Sequence, residues 1–169
     1  MIICYTDGSA LNPHGPIGWA WHDEDGNEKS GGSKSGTNNI GELTAIESAI
    51  ESHPGDEPLT IFSDSEYSVN AIKKAPQWRA DRWTKPKSRG TGRDEVKNPA
   101  LLDAILDAIE RRHGSVCVKW TESHVGTEGN ERCDTLAKSY AFDVRRNAKP
   151  HCMTPAGDKA IAESTALKS

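Results

Sequence analysis

The stretch Ile2-Ile3-Cys4-Tyr5-Thr6-Asp7-Gly8 reads as a short apolar strand, Ile2 to Thr6, closed by a turn-forming Asp-Gly pair. Outward from it, Asn12-Pro13-His14-Gly15-Pro16 is turn material. Residues 17–22 and 28–35 then read as two further strands joined at Asp25-Gly26, so the chain opens with an antiparallel meander. The period changes after that. Leu43, Ile46 and Ile50 recur at helical spacing, with Glu42, Glu47 and Glu51 off their stripe.

A short strand is expected over 59–63, and a helix over 65–74 with Ser65 as its N-cap. Asn98-Pro99 reads as a cap followed by proline in the first turn of a helix whose apolar face is Leu101, Leu102, Ile105, Leu106 and Ile109. Val116, Val118 and Trp120 alternate as a half-buried strand, and 130–143 reads as the last long helix. The order βββαβα-insert-αβα predicts an α/β fold, a mixed five-stranded sheet flanked by helices. Residues 144–169 turn polar and read as a tail with a short helix near 160–167.

The length of 169 residues suits one domain of ordinary size. No apolar run approaches the roughly 18 residues that span a bilayer, and the start at Met1 lacks the pattern of a secretory leader. Cys4, Cys117, Cys133 and Cys152 form no CxxC pair, which argues against zinc and for reduced thiols. A cytoplasmic monomer, with no membrane and no obligate protein partner, is the expectation. The net charge is −4, but it is unevenly spread. Residues 73–97 hold nine basic and three acidic side chains (+6), against twelve basic and twenty-two acidic elsewhere (−10). A basic block on an acidic body suits a polyanionic partner.

Four carboxylates stand in short motifs: Asp7, Glu42, Asp64 and Asp134. Asp7 and Asp64 each follow a strand, while Glu42 and Asp134 lie early in helices, where the helix dipole favours ionised groups. Taken singly, each is an ordinary turn former or cap. Gathered at one point, they would repel one another unless hard divalent cations bridged them. Two such ions, about 3.5–4 Å apart, suit in-line displacement at phosphorus. No Walker A sequence offers another phosphate site.

These residues resemble ribonuclease H of the bacterial type I class. The resemblance covers about 1–143 and rests on Tyr5-Thr6-Asp7-Gly8-Ser9, the Asn12-Pro13 turn, Thr37-Asn38-Asn39 before Glu42, Asp64-Ser65 followed by Tyr67, Val96-Lys97-Asn98, and Ser123-His124-Val125-Gly126 ahead of Asn130-Glu131-Arg132-Cys133-Asp134. It implies a catalytic domain over 1–143, with 73–97 as its protruding basic handle. The implied reaction is internal cleavage of the RNA strand of an RNA–DNA hybrid, leaving 5′-phosphate and 3′-hydroxyl ends. The implied cofactor is a pair of Mg²⁺ ions, with Mn²⁺ as substitute, on Asp7, Glu42, Asp64 and Asp134. His124 matches a loop histidine proposed to carry a proton to the leaving group or to aid product release.

For the substrate, the resemblance places Asn12, Asn38 and Asn39 at the minor groove and Thr37 at a DNA phosphate. Trp78 and Trp83, set among Arg79, Lys85, Lys87 and Arg89, would meet deoxyribose and phosphate. Ile40-Gly41, Glu66 and Ser123 depart from the usual pattern without removing a ligand. Two other readings compete: another nuclease on the same fold, and a non-catalytic nucleic-acid-binding module.

Overall fold

The computed structural model describes residues 1–123 and 127–166. Strands β1 (Ile2–Ala10), β2 (Ile17–Asp23) and β3 (Glu28–Ser33) form the meander, followed by α1 (Asn38–Ser52), β4 (Leu59–Ser63) and α2 (Glu66–Ala80). A small hairpin of β5 (Thr84–Pro86) and β6 (Arg93–Glu95) comes next, then α3 (Pro99–Arg111), β7 (Val116–Trp120), α4 (Glu128–Arg145) and α5 (Pro155–Ala166). Among the described residues the main sheet has the order β3-β2-β1-β4-β7. β1 pairs antiparallel with β2 and parallel with β4, and β4 pairs parallel with β7. The mixed five-stranded sheet expected from the sequence is therefore present.

Helices cover both faces, and two glycines let them approach. A Cβ on Gly8 would fall 2.3 Å from the Glu42 backbone nitrogen of α1. A Cβ on Gly18 would fall 1.9 Å from the Ala137 carbonyl oxygen of α4. Between sheet and helices lies a core built on Ile17, Trp19, Leu43, Ile46, Ile50, Ile61, Leu101, Leu102 and Ile105. Ala20, Cys133 and Ala137 pack together under α4.

Several local expectations are corrected. Helix α2 does not stop at Lys74 but runs through Pro76 to Ala80. Proline removes one helical hydrogen bond, while Ala75 and Trp78, beyond Lys74, pack on the core and hold the helix together. Asn98 makes no side-chain cap; its backbone is left-handed, φ 55°. Its amide nitrogen instead donates to the Tyr67 hydroxyl at 3.1 Å. Cys117 is exposed on β7, the last strand in the sheet order.

The largest correction concerns the polar C-terminal segment, which is docked. Cys152 exchanges two backbone hydrogen bonds of 2.8 Å with Gly32 of β3. The Trp19 indole donates to the Cys152 carbonyl at 2.9 Å, and Tyr140 Oη to the Pro150 carbonyl at 2.9 Å. Thr154 Oγ1 donates to Glu47 Oε2 at 2.5 Å. Helix α5 then packs against α1 and α3 through Ala160, which is 1% exposed, together with Ala156 and Ile161. This explains why Glu47, off the apolar stripe in sequence, is buried.

Candidate active site

Asp7 sits within β1, opposite Ala20 of β2 in the register that faces α4. Asp64 comes directly after β4, the parallel neighbour of β1. Glu42 lies in the opening turns of α1, whose start is fixed by the Thr37 hydroxyl accepting from the Ile40 amide at 3.2 Å. One carboxylate oxygen from each of Asp7, Glu42 and Asp64 lies within 4.8 Å of the others. Asp7 lies inside β1, which does not close at Asp7-Gly8 as expected but stays paired with β2 to Ala10, so the convergence joins mid-β1, the end of β4 and the first turns of α1.

The cluster is deep. Asp7 is 4% exposed and Glu42 3%. Burial, and then the charges of Asp64 and Asp134, push the Asp7 carboxyl up to about 8. Burial, and then Asp7 and Asp64, push Glu42 well above the usual range. The dipole at the start of α1 favours the ionised form of Glu42, while desolvation and the neighbouring Asp7 and Asp64 push the other way. Among the described residues Glu42 Oε2 is buried with no hydrogen-bond partner. A buried acceptor without a donor, beside two more carboxylates, fits a hard divalent cation.

Asp134 stands at the margin of this group. Its charge acts on Asp7, yet its Oδ2 is paired with Lys138 Nζ at 2.9 Å, one helical turn on. His124 lies outside the described residues.

The expected substrate contacts are only partly assembled. Asn12, Thr37, Asn38 and Asn39 line one groove with Ala10 and Pro13. The two loops that carry them are tied by the Gly36 amide donating to the His14 carbonyl at 3.1 Å. Lys85, Lys87 and Arg89 are exposed on and beyond β5, and Lys85 Nζ lies 5.8 Å above the Trp78 ring. Trp78 and Trp83 are half-buried against the core. Arg79 is not presented to solvent as a free cation: it is bonded to Asp103, Asp107 and Glu110 of α3.

Two contributors carried no sequence signal of their own. Trp120, read only as a strand residue, donates its indole N–H to the Asp64 carbonyl at 3.2 Å and so fixes the backbone of that carboxylate. Gly41, a departure from the usual pattern, sits where an added Cβ would be 3.0 Å from the Gly18 carbonyl oxygen. It belongs to the same close approach as Gly8.

The sequence profile of RNase H matches residues 1–142. The chain belongs to the ribonuclease H family. Ribonuclease H of Tropheryma whipplei strain Twist is 37% identical over 142 residues, covering 83% of this chain and 84% of that one. Ribonuclease H of Syntrophus aciditrophicus is 34% identical over 155 residues, covering 89% and 86%. Among solved structures, a foamy viral protease-reverse transcriptase in complex with RNA/DNA hybrid aligns with TM-score 0.69 at 20% identity, over 85% of this chain and 20% of that longer one. The N-terminal RNase H domain of a Mycobacterium tuberculosis protein aligns with TM-score 0.62 at 15% identity, over 88% and 98%. These two likenesses concern the fold.

Within this cluster, Gly8, next to Asp7, is closely confined against α1. Gly8→Ala forces β1 and α1 apart at Glu42. It is expected to cost about 1–3 kcal/mol, the usual range for overpacking, and to weaken divalent-ion binding as well. Urea unfolding and calorimetric titration of Mg²⁺ check both; unchanged ion affinity would show that Glu42 does not depend on this close approach.

Proposed function

We propose that this chain is an endoribonuclease that cuts the RNA strand of RNA–DNA hybrids with two divalent ions, Mg²⁺ by preference and Mn²⁺ as substitute. The observation that carries the reading is the convergence of carboxylate oxygens from Asp7, Glu42 and Asp64 within 4.8 Å. Asp7, Glu42 and Asp64 would hold the ions, with Asp134 completing the set through its reach to Asp7. Bound there, the ions would supply Lewis-acid charge to the phosphodiester and an activated water. The protein's own contribution is to hold the carboxylates rigidly and to seat the hybrid.

The groove of Asn12, Thr37, Asn38 and Asn39 offers short amides and a hydroxyl, groups suited to reading a 2′-hydroxyl as donor or acceptor. Lys85, Lys87 and Arg89 suit the phosphates of the second strand. His124 is proposed to carry a proton at the leaving group. The four free thiols favour a reducing, cytoplasmic setting.

The deciding assay labels the RNA strand in hybrid, duplex RNA and duplex DNA contexts, with Mg²⁺, Mn²⁺ or EDTA. Internal cleavage of hybrid RNA alone, lost with EDTA and in Asp64→Asn, is expected. Cleavage of a DNA strand would favour another nuclease of this fold, and hybrid binding without cleavage would favour a binding module.

The handle has its own test. Replacing Lys85, Lys87 and Arg89 together by Ala should lower the slope of log affinity against log salt by about 2–3, near 0.9 for each phosphate left without its cation. An unchanged slope would remove these residues from the interface.

A further inference from the structure

The basic segment over 73–97 is not a uniform phosphate-binding surface, because two of its arginines are consumed internally. Arg79, in the last turn of α2, reaches three successive carboxylates along one face of α3. Its Nε donates to Asp103 Oδ1 at 2.8 Å and its Nη2 to Asp107 Oδ1 at 2.7 Å. Nη1 donates to Glu110 Oε1 at 2.9 Å, and Nη2 also to the Asp103 carbonyl at 2.9 Å. The spacing 103, 107, 110 puts all three on one helical face. A planar guanidinium with its donors in a fixed fork is suited to bind such a row.

Beyond Arg79 the chain is held just as closely. Arg82 and Trp83 both take left-handed backbone conformations, φ 59° and 61°. The Trp83 amide donates back to the Trp78 carbonyl at 2.6 Å, and the Val96 amide to the Trp83 carbonyl at 2.9 Å. Arg93 of β6 then donates to Asp81 Oδ2 at 3.0 Å, the Thr84 hydroxyl at 2.7 Å and the Thr84 carbonyl at 3.1 Å. A continuous series of hydrogen bonds thus runs from α3, through Arg79 and the end of α2, to the β5–β6 hairpin that presents Lys85, Lys87 and Arg89.

We propose that Arg79 is a positioning residue: by clamping the end of α2 onto Asp103, Asp107 and Glu110 of α3, it sets the orientation in which the hairpin offers its cations to a nucleic-acid backbone. The proposal rests on the hybrid as substrate, and it replaces the direct phosphate contact that the sequence suggested for Arg79.

The two roles predict opposite signs. If Arg79 touched phosphate, Asp103→Asn with Asp107→Asn would strip two of the three carboxylates from its guanidinium and tighten hybrid binding. If Arg79 is a clamp, the same pair of substitutions weakens binding, as Arg79→Gln does. The triple variant Arg79→Gln/Asp103→Asn/Asp107→Asn is one charge more positive than the original protein, so net charge alone would make it bind tighter. The clamp makes it bind no better than Arg79→Gln, because the substitutions remove one shared unit.

The experiment measures hybrid Kd in EDTA for all four proteins by fluorescence anisotropy, with KM and kcat in Mg²⁺ and circular dichroism at the assay temperature. Each variant is expected to show Kd and KM raised about five- to tenfold, a change of about 1 kcal/mol or slightly more, with kcat at saturating hybrid held. Arg79→Lys should rescue poorly, since an ammonium cannot span the row. Tighter binding by the double or triple variant overturns the clamp, as does a fall in kcat with KM unchanged. Because Kd is read without metal, the clamp is decided even if no variant, nor the original protein, cleaves hybrid RNA; that failure would count against the substrate reading instead.

Discussion

Asp7→Asn is expected to abolish cleavage and, in the absence of metal, to give a more heat-stable protein than the original at pH 8.5. Both effects come from one property of the site. Asp7 is buried beside Glu42 and Asp64, and its carboxyl is pushed up to about 8. An unfolded aspartate titrates near 3.9. Between those two values the folded state binds a proton that the unfolded state has released, so stability falls as pH rises. The contribution is fully present below about pH 4 and lost by the time the pH passes about 8. Glu42, pushed up by burial and the same neighbours, acts in the same direction.

A divalent cation held at the cluster would reverse this. It binds the ionised form, so the gain in Tm on adding Mg²⁺ should be large at pH 8.5 and small at pH 5. Replacing Asp7 by the neutral amide removes the central anion. The metal-free protein should then gain on the order of 1–3 kcal/mol at pH 8.5 relative to the original, and its response to Mg²⁺ should shrink. Cleavage of hybrid RNA should drop by roughly a thousandfold or more, a change of about 4 kcal/mol in the barrier. Calorimetry across pH 5–8.5 in EDTA and in Mg²⁺ reads the stability side. A metal-free Tm independent of pH, or an Asn variant less stable than the original at pH 8.5, would refute the account of the cluster.

Deleting the chain after Arg146 should destabilise the protein by about 3–5 kcal/mol. That corresponds to a Tm lower by roughly 10 °C or more for a domain of this size. The deletion removes Met153, Ala156, Ala160 and Ile161 from the core against α1 and α3. It also strips Cys152 from the edge of β3 and leaves the Trp19 indole without its acceptor. Glu47 loses both the cover of this segment and the hydrogen bond that Thr154 donates. The single change Thr154→Val removes that hydrogen bond together with the one its hydroxyl accepts from the Gly157 amide at 3.0 Å, and about 1–3 kcal/mol is expected for the groups left unpaired. Circular dichroism melts of the two variants give the comparison. A truncated protein with the original Tm would mean that residues 147–169 are a solvated tail after all.

Much of this architecture can be read from the chain. The alternation of short apolar strands with 3.6-residue periodicity gives the order of elements, and the crossovers leave few ways to arrange them. Asp64 and Glu42 are legible because one follows a strand and the other opens a helix, whereas Asp7 lies inside β1, with Asp7-Gly8 paired in the ladder to β2. Other features are not legible in this way. Asn98-Pro99 has every local mark of a helix cap, yet the Tyr67 hydroxyl takes the amide instead. Pro76 marks a local stop, yet the packing of Ala75 and Trp78 carries α2 past it.

The family, the order of the main-sheet strands with their helices, and three of the four carboxylates expected to converge are written in the chain, because they depend on local propensity and on motifs of set spacing. How deep those carboxylates lie is a product of packing, and with it the upward push that burial and mutual charge put on Asp7 and Glu42. Packing likewise assigned Arg79 to carboxylates 24, 28 and 31 residues away. It also made a polar segment into a brace, through Thr154 and a glutamate 107 residues earlier. Burial and charge pairing are set by which surfaces meet, and a residue's own neighbours in sequence do not specify that.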